Sequence, residues 1–590
     1  MWPWQPVGGG RWVGSDASDR FPIYTRGNAG EVYPEVFRPL SFSIANLAGE
    51  RAMRNAVLRS GFVREDEIAD VPITVGLGSG VFGGYAYLNL SMNRLGAARV
   101  PGGSATDADR SYLGVGDPPP HVPLPNEKNL RATIAGMRTV WRMSGHTSLP
   151  EIETDRRDID AYLASLPDPS TASDAELRAS TSDDLIERFG RWFETHLVVS
   201  FGAGTLMAVL TQICEKQLGD ESIAIRLVSG LGDVDSAAPA SAMWGLGRIV
   251  ADSPALTAEF DQGVAGLFDR VRELGERSDD SSVASFLAAF DDLLDRHGAR
   301  GANEWDTAFD TWGTDPELAL ALVDRMRLTD PSHAPDVQRD RLAAERDQLE
   351  AETLERLGRP ARRVFRRVLR STRMYLRGRE RAKTNVVEAI HGARLRAQEL
   401  DRRLVARSGG ERGDLWFLLI EELDDYVADP AGFRETIGER REMLARLEER
   451  IPPFFFEGEQ PPLDQWELRS EAAATASRVD SGDVITGLAG CVGVARGRAR
   501  VVTDPGDPRG LEPGDVLVAP HTDPSWTPLF VPADAVVVDV GATMSHAVIV
   551  SRELGIPCVV SATDATRRIP DGATIEVDGT AGTVTVIDVP

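Results

Sequence analysis

The sequence contains very little cysteine. Of its 590 residues only three are cysteines, Cys214, Cys491 and Cys558, and they lie far apart. This spacing excludes a disulfide framework and offers no set of metal ligands, so no metal site is expected. Free cysteines in this number are typical of a reducing compartment, and we expect the protein to be cytoplasmic.

Positive charge is also scarce. Lysine and arginine number 65 against 91 Asp and Glu, which gives a formal net charge of −26. Such a surface repels nucleic acids and anionic membranes, so neither is expected as a partner. Lysine itself occurs only at Lys128, Lys216 and Lys383. Because lysine is so rare in this chain, we interpret a lysine as a stronger functional signal than an arginine.

Three further features are missing. No apolar run reaches the roughly 18 residues that a membrane span needs, and the N-terminal Met-Trp-Pro-Trp-Gln-Pro lacks the regions of a secretory signal. No Gly-x-x-x-x-Gly-Lys-Ser/Thr loop occurs, so the chain is not expected to bind and split ATP alone.

Hydrophobic content of 42% and charged content of 26% are typical of a globular protein. The length of 590 residues is enough for two or three domains.

One stretch near the C-terminus, residues 541–557, carries the clearest pattern. The apolar run Ala535–Val540 predicts a buried strand before it, and a second short strand is predicted after it. Between the strands we expect one helix, capped by the hydroxyl of Thr543 or Ser545. Gly555 can end this helix in the left-handed conformation.

His546 falls in the first turn of that helix. Unpaired backbone N–H groups and the helix dipole stabilise a phosphate there. A neutral imidazole at this position is a nucleophile whose phosphorylated form would lie against anion-binding groups. From local chemistry alone, a surface histidine in an ordinary βαβ unit is the favoured interpretation.

The stretch Gly-Ala-Thr-Met-Ser-His-Ala-Val-Ile-Val-Ser-Arg-Glu-Leu-Gly-Ile-Pro closely resembles the phosphohistidine swivelling domain of the phosphoenolpyruvate-utilising family. Members of this family include pyruvate phosphate dikinase, phosphoenolpyruvate synthase and rifampin phosphotransferase. The Ser-His pair, the Arg-Glu pair and the Gly-Ile-Pro all match at their spacing. The resemblance implies that His546 becomes phosphorylated, with Thr543 and Ser545 binding the phosphate.

A second match lies near the N-terminus, in residues 21–40. A Pro-punctuated segment this rich in aromatics is typical of a well-packed loop. It resembles the segment that opens the acceptor-binding domain of rifampin phosphotransferase and its relatives, and the resemblance implies a binding role for Arg26. In the fused enzymes an ATP-grasp domain comes first; here residues 1–20 form only an irregular lead-in. We therefore expect a separate ATP-grasp subunit as the partner.

The middle of the chain has helical periodicity. Helices are predicted at 183–218, 236–250, 254–275, 280–297, 315–327, 338–357, 361–407 and 430–450. A Gly-broken loop after the fourth of these holds His297, Arg300, Glu304 and Asp306. By itself it is a polar turn, but it resembles the signature of the rifampin phosphotransferase and phenylphosphate synthase group. The resemblance implies that His297 acts in catalysis and that Arg300 and Glu304 bind acceptor or phosphate.

The second cluster is Arg379-Glu380-x-x-Lys383, inside a long basic helix. Arg379 and Lys383 are four residues apart and share one face. Fixed cations neutralise the oxygens of a transferring phosphoryl group, and Glu380 can orient a cation or accept the acceptor's proton. A surface helix laced with charges is an equally good interpretation without the resemblance. The pattern matches the family's Arg-Glu-x-x-Lys helix.

From residue 484 the period changes to that of strands, predicted at 497–502, 515–518, 535–540, 557–561, 574–577 and 583–587. The segment Thr522–Pro528 resembles the family's loop before the histidine strand, and we expect it to shape the His546 site. The expected fold is multidomain α+β. A mostly helical acceptor-binding domain (21–455) is followed by a linker (456–483) and a small β/β/α swivelling phosphohistidine domain (484–590).

The resemblance implies a two-component, ATP-dependent phosphotransferase of the dikinase type. The ATP-grasp subunit, with ATP and Mg²⁺, would transfer the β-phosphate to His546 and release AMP and phosphate. The domain would then swing towards Arg379 and Lys383, and Glu380 or His297 would deprotonate the acceptor hydroxyl. Phosphoenolpyruvate is not expected as a substrate, because no phosphoenolpyruvate-binding barrel follows the histidine domain.

The expected acceptor is a small aromatic alcohol of the phenol or 4-cresol type. Trp141, Trp192 and Trp244 are candidates for lining its pocket, although buried aromatics are more often core. Two alternatives stay open. One is a component of a rifamycin-type antibiotic phosphotransferase; the other is a phosphocarrier or regulatory module without acceptor chemistry.

Overall fold

The computed structural model describes residues 15–100, 103–113, 119–124, 126–180, 183–475, 478–505, 511–542 and 545–590. A large helical region is followed by a small β-rich domain, here called the C-terminal domain (484–590). This mixed architecture confirms the coarse fold class predicted from the sequence.

The α-helices follow one another along most of the chain. They are α1 (Ala29–Val32), α2 (Pro39–Ser60), α3 (Leu90–Ala98), α4 (Ala105–Leu113), α5 (Leu130–Met143), α6 (Pro150–Ser165), α7 (Asp174–Ala179), α8 (Asp183–Leu218), α9 (Ser222–Arg226), α10 (Ala238–Asp252), α11 (Pro254–Phe260), α12 (Leu267–Arg277), α13 (Ser281–His297), α14 (Pro316–Leu328), α15 (Pro335–Arg356), α16 (Arg359–Ser408), α17 (Leu423–Ala428), α18 (Arg434–Glu448), α19 (Arg469–Thr475), α20 (Thr527–Phe530), α21 (His546–Leu554) and α22 (Ala565–Arg568).

The strands lie at the two ends of the chain. They are β1 (Ile23–Thr25), β2 (Ser79–Phe82), β3 (Tyr85–Asn89), β4 (Phe455–Glu457), β5 (Val484–Thr486), β6 (Leu488–Cys491), β7 (Val494–Val501), β8 (Val516–Ala519), β9 (Ala535–Val538), β10 (Cys558–Val560), β11 (Thr574–Asp578) and β12 (Thr583–Asp588).

These strands form two sheets. The first, in the helical region, is antiparallel with the order β2-β3-β1-β4. The second has the order β5-β12-β11-β7-β8-β9-β10-β6, and its four strands from β7 to β10 are parallel. Every residue of β8, β9 and β10 is buried, as expected for parallel strands covered on both faces. Helix α21 connects β9 to β10 in a βαβ unit.

The structure departs from the sequence prediction where glycines interrupt a helix and where helices or strands are only a few residues long. The helix predicted at 254–275 is divided into α11 and α12, because Gly263 and Gly266 take positive φ angles of 94° and 68°. Residues 21–40, predicted as a loop, contain β1 and α1. Strand β4 pairs with β1, so the first sheet extends into the segment expected to be a linker.

The expectation that no apolar run is long enough for a membrane span is wrong: within the described residues, helix α8 is the one helix long and apolar enough to cross a membrane, over Leu185–Leu218. In this structure it packs between α2 and α16. Its Trp192, Leu206 and Leu210 are fully buried among the neighbouring helices. We therefore interpret α8 as the core helix of the helical region.

The C-terminal domain packs onto the helical region through one continuous apolar core. Trp526, Leu529 and Phe530 are buried in the same cluster as Met243 of α10 and Val323 of α14. Full burial of side chains of this size contributes about 1.5–3 kcal/mol each. This contact packs α20 against α10 and α14, and α21 packs against α20, which positions the site described next.

Candidate functional site

His546 begins α21, in the first helical turn as the sequence predicts, and Gly555 ends this helix with a φ of 71°. Thr543 lies outside the described residues. Ser545 is the N-cap residue, but its side chain makes no capping hydrogen bond, so the predicted serine cap is wrong. The backbone N–H of His546 instead donates to Oε1 of Glu31, at 2.5 Å. A carboxylate from α1 thus occupies the anion-binding end of α21.

Two threonines hold the imidazole ring. Nε2 of His546 lies 3.0 Å from Oγ1 of Thr527, and Nδ1 lies 3.2 Å from Oγ1 of Thr522. The Thr527 hydroxyl donates to the carbonyl oxygen of Ser236, at 3.1 Å. Its oxygen is therefore the acceptor for an Nε2–H, which leaves the lone pair on Nδ1. The loop 522–528 shapes the histidine site, as the sequence indicated.

Burial and neighbouring cations keep this imidazole neutral. Burial lowers the pKa of His546 well below the ordinary value, and Lys383 lowers it further. Arg300 and Arg379 act in the same direction, whereas Glu380 opposes them. A histidine that is unprotonated at neutral pH is available as a nucleophile.

Arg379, Glu380 and Lys383 lie on α16, and their charges act on the pKa of His546. Glu380 forms an ion pair with Arg379 and accepts a hydrogen bond from the hydroxyl of Ser236. Burial raises its pKa, but Arg379 and Lys383 outweigh this and lower the pKa to about 2. Glu380 is thus a firmly ionised group that orients Arg379, and it is a poor proton acceptor near neutral pH.

The loop after α13 joins this cluster through Glu304. Oε1 of Glu304 lies 3.0 Å from Nζ of Lys383 and 3.0 Å from Nη1 of Arg300. Arg300 also donates to the hydroxyl of Thr384, at 2.5 Å. All three charged groups are buried or nearly so, which makes their mutual pairing strong.

One predicted site residue, Arg26, has its contacts outside this cluster, whereas His297 lies beside Arg300. Arg26 donates to the backbone carbonyls of Tyr33, Pro34 and Ala86, and its guanidinium lies over the ring of Tyr85. These contacts give Arg26 a packing role. His297 ends α13 half-buried, and burial, with Arg300 nearby, lowers its pKa to about 4.

Two carboxylates that the sequence analysis did not assign belong to the site. Burial raises the pKa of Glu31 to about 7, although the N–H of His546 and the charges of Arg379 and Lys383 oppose the rise. Asp523 accepts hydrogen bonds from the N–H groups of Ser525 and Asn303, and burial raises its pKa to about 6. Glu31 stood in the 21–40 match, but no local pattern connected it with a histidine 515 positions away.

Several buried polar atoms around the histidine have no hydrogen-bond partner among the described residues. They are Oε2 of Glu31, Nδ1 of His196, Oδ1 of Asn303, Oε2 of Glu304 and Oγ of Ser545. Buried polar groups are normally paired. This concentration therefore marks a place suited to a polar ligand. The described residues contain no group of three or more His, Cys, Asp and Glu side chains that could hold a metal ion.

Aromatic side chains flank the cations on one side. The ring of Trp305 lies 5.5 Å from that of His196 and 5.6 Å from that of Phe193. Burial, with Arg379 and Lys383 close by, lowers the pKa of His196 to about 3.

The three tryptophans singled out from the sequence have other contacts. Arg367 covers Trp141 and Arg248 covers Trp244, while the indole N–H of Trp192 donates to Asp158.

Comparison with known proteins agrees with this geometry. Residues 511–582, which include His546, match the family described as "PEP-utilising enzyme, mobile domain". Residues 196–380, which include Arg300 and Arg379, match "Rifampicin phosphotransferase fourth domain". In these two stretches the chain resembles the phosphoenolpyruvate-utilising family.

Curated relatives cover different shares of the chain. A rifampicin phosphotransferase of Streptomyces sviceus is 28% identical over 72% of this chain and 50% of its own length. A prodigiosin synthesizing transferase of Serratia marcescens, PigC, is 25% identical over 96% of this chain and 63% of its own length. An uncharacterized phosphotransferase of Bacillus subtilis, YvkC, is 28% identical over 58% of this chain and 41% of its own length. The chain thus spans about half the length of the curated relatives it matches, and its relatives include phosphotransferases.

Proposed function

We propose that the chain transfers a phosphoryl group from phospho-His546 to the hydroxyl of a small aromatic acceptor of the phenol or 4-cresol type. The observation that carries the proposal is a buried, neutral His546 whose pKa is lowered by the charges of Lys383 and Arg379. Phosphotransferase relatives support the reaction class. The aromatic side chains around Trp305 support an aromatic acceptor.

The phosphoryl donor in this proposal is an ATP-grasp subunit that binds ATP and Mg²⁺ and forms a heteromer with the chain. It transfers the β-phosphate to His546 and releases AMP and phosphate. The family resemblance of the C-terminal domain supports this half of the cycle. The residues of this chain contribute the imidazole that receives the group and the threonines that orient it.

In the second half, the acceptor oxygen attacks the phosphorus while the phosphorus–nitrogen bond breaks, and the bonding electron pair returns to the imidazole. Arg379 and Lys383 neutralise the oxygens of the transferring group. The acceptor's proton passes to a carboxylate. Glu31 suits this role better than Glu380 or His297, because its pKa lies near 7 and its Oε2 has no partner among the described residues.

The test has two stages. The chain is mixed with ATP, Mg²⁺ and a candidate ATP-grasp protein, and acid-labile phosphate on His546 is measured by mass spectrometry. The labelled protein is then chased with p-cresol, phenol or rifampicin. Discharge to an aryl phosphate supports the proposal, and discharge to rifampicin alone supports the antibiotic alternative, which the matched family favours. A label that no hydroxyl discharges supports the carrier alternative.

Replacing Lys383 with alanine should separate the two stages. We expect labelling of His546 to persist and discharge to the acceptor to fall about 10²–10³-fold, since one preorganised cation is lost. Single-turnover discharge of purified phosphoprotein measures this. Lys216, at the surface end of α8, provides the matched Lys→Ala control. Equal slowing of labelling and discharge would contradict a role confined to the acceptor step.

Glu553 connects the two units at the other end of α21. Its two carboxylate oxygens accept hydrogen bonds from the N–H groups of Leu231 and Gly232, each at 3.0 Å. The variant Glu553→Ala is expected to slow discharge about tenfold without slowing labelling, because hydrogen bonds to a charged group contribute about 1.5–3 kcal/mol. Glu576→Ala, on β11, is the control. Unchanged discharge would show that this contact does not support docking.

A further inference from the structure

A second polar site lies between the C-terminal domain and the helical region. It is a cavity of about 140 Å³ with walls from α9, α15, β6 and α21. Arg552 reaches it from α21, six residues beyond His546 and therefore roughly 9 Å farther along the helix axis. The cavity is thus distinct from the cluster around His546, although both sites share one helix.

The charge of this cavity is strongly unbalanced. Arg226, Arg341, Arg346 and Arg552 line it, against the single carboxylate of Glu345. This concentration of positive charge occurs in a chain whose formal net charge is −26. Guanidinium groups collected in this way have the geometry and charge to bind oxyanions.

Arg552 is the most informative of these residues, because only 4% of it is exposed. Its Nε donates to the carbonyl oxygen of Gly490 at 3.2 Å, and no carboxylate pairs with it among the described residues. Burial lowers its pKa. A buried guanidinium without a counter-charge is costly, so the fold favours an anion beside it.

Two of the other arginines have carboxylate partners, so the positive surplus rests on Arg552 and Arg226. Arg341 pairs with Glu345 at 3.1 Å, and Arg346 pairs with Asp347 at 2.9 Å and donates to the backbone carbonyl of Gly230. Arg226 is exposed and has no ion pair in the described part of the chain. The thiol of Cys491 also faces the cavity, but burial raises its pKa to about 11, so it adds no negative charge at neutral pH.

We infer that this cavity binds a phosphate-class anion, either inorganic phosphate or the phosphate group of a nucleotide, which bridges α15 and α21. A bound anion holds the C-terminal domain against the helical region, in the arrangement that places His546 beside Arg379 and Lys383. Its influence on phosphoryl transfer rests on the proposed function. Binding itself does not, and it is measured without any donor or acceptor.

Isothermal titration calorimetry of the full chain with inorganic phosphate, and separately with AMP, tests binding. We expect saturable binding that Arg226→Gln and Arg341→Gln each weaken about tenfold or more, because each removes a charge-assisted contact at the cavity mouth. Arg339→Gln is the matched control, since Arg339 lies on α15 outside the cavity lining. Tighter binding of AMP than of phosphate identifies a nucleotide, and the reverse identifies the free ion.

Absence of saturable binding with both probes would overturn the inference, and so would equal weakening by Arg339→Gln. The bridging role has its own readout in the labelling rate of Cys491 by a neutral thiol reagent, resolved by peptide. Phosphate should slow this labelling several-fold in the unmodified chain and leave it unchanged in Arg226→Gln. Cys558, fully buried in the C-terminal domain, is the internal reference. Phosphate that binds without slowing Cys491 would refute the bridge.

Discussion

Replacing His546 with alanine is expected to abolish the phosphoprotein completely and, with it, all acceptor phosphorylation. The reason is chemical: only a neutral imidazole at this position can accept the phosphoryl group as a covalent intermediate. The pKa of His546 lies well below its ordinary value, so the nucleophile is present across the physiological range. Incubation with ATP, Mg²⁺ and the ATP-grasp protein, followed by intact-mass measurement, gives the readout.

The control for this experiment is His121→Ala, since His121 is an exposed histidine in a different part of the helical region. It should label as the unmodified chain does. Replacement of Thr527 by valine, which removes a hydroxyl that contacts Nε2, should slow labelling without abolishing it. Acid-labile phosphate that survives in His546→Ala would mean that another residue carries the group, and the proposed cycle would fail.

Much of the fold follows from patterns of short range. The predicted helices at 183–218 and 280–297 correspond closely to α8 and α13, because apolar residues recur there at the helical period. The βαβ unit around His546 follows from its β-branched run and from Gly555. The strands β5 and β6 were not predicted, since three and four residues carry too little periodicity.

Only the part of the site that lies on single helices could be predicted, because the remaining contacts join residues far apart in the sequence. Arg379 and Lys383 could be grouped because they share one helical face. The hydrogen bond between Glu31 and the N–H of His546 joins positions 515 residues apart, and no local sequence pattern near either residue predicts it. Ser545 carried the signal of an N-cap, but the tertiary contact with Glu31 replaced its hydroxyl. Local preference was overridden where two units of the chain meet.

That same contact sets up a competition at the start of α21. In the docked arrangement the Glu31 carboxylate lies where helix geometry favours a phosphate. A phosphoryl group on His546 and an ionised Glu31 would repel each other, so the arrival of phosphohistidine favours protonation or displacement of Glu31. Because burial has already raised its pKa to about 7, a small change in local charge is enough to move its proton.

The variant Glu31→Gln is expected to reduce discharge of phospho-His546 about 10²–10⁴-fold, since the glutamine cannot accept the acceptor's proton. The amide oxygen of the introduced glutamine can still accept the N–H of His546, so docking should persist. In the unmodified chain the discharge rate should rise with pH through 7 and level off above it, because the phosphoryl group raises the pKa of Glu31 beyond the value of about 7 that burial gives it. The variant should lose this rise.

The sign of the linked docking effect is opposite. A carboxyl whose pKa is raised on docking binds more protons in the docked form, so docking weakens as pH rises from the ordinary value towards 7. A rate that nevertheless rises over this window therefore reports ionisation of the base rather than tighter docking. Glu35→Gln, an exposed neighbour, is the control. If Glu31→Gln kept both the rate and its pH dependence, Asp523, with a pKa of about 6, would be the better candidate for the proton acceptor.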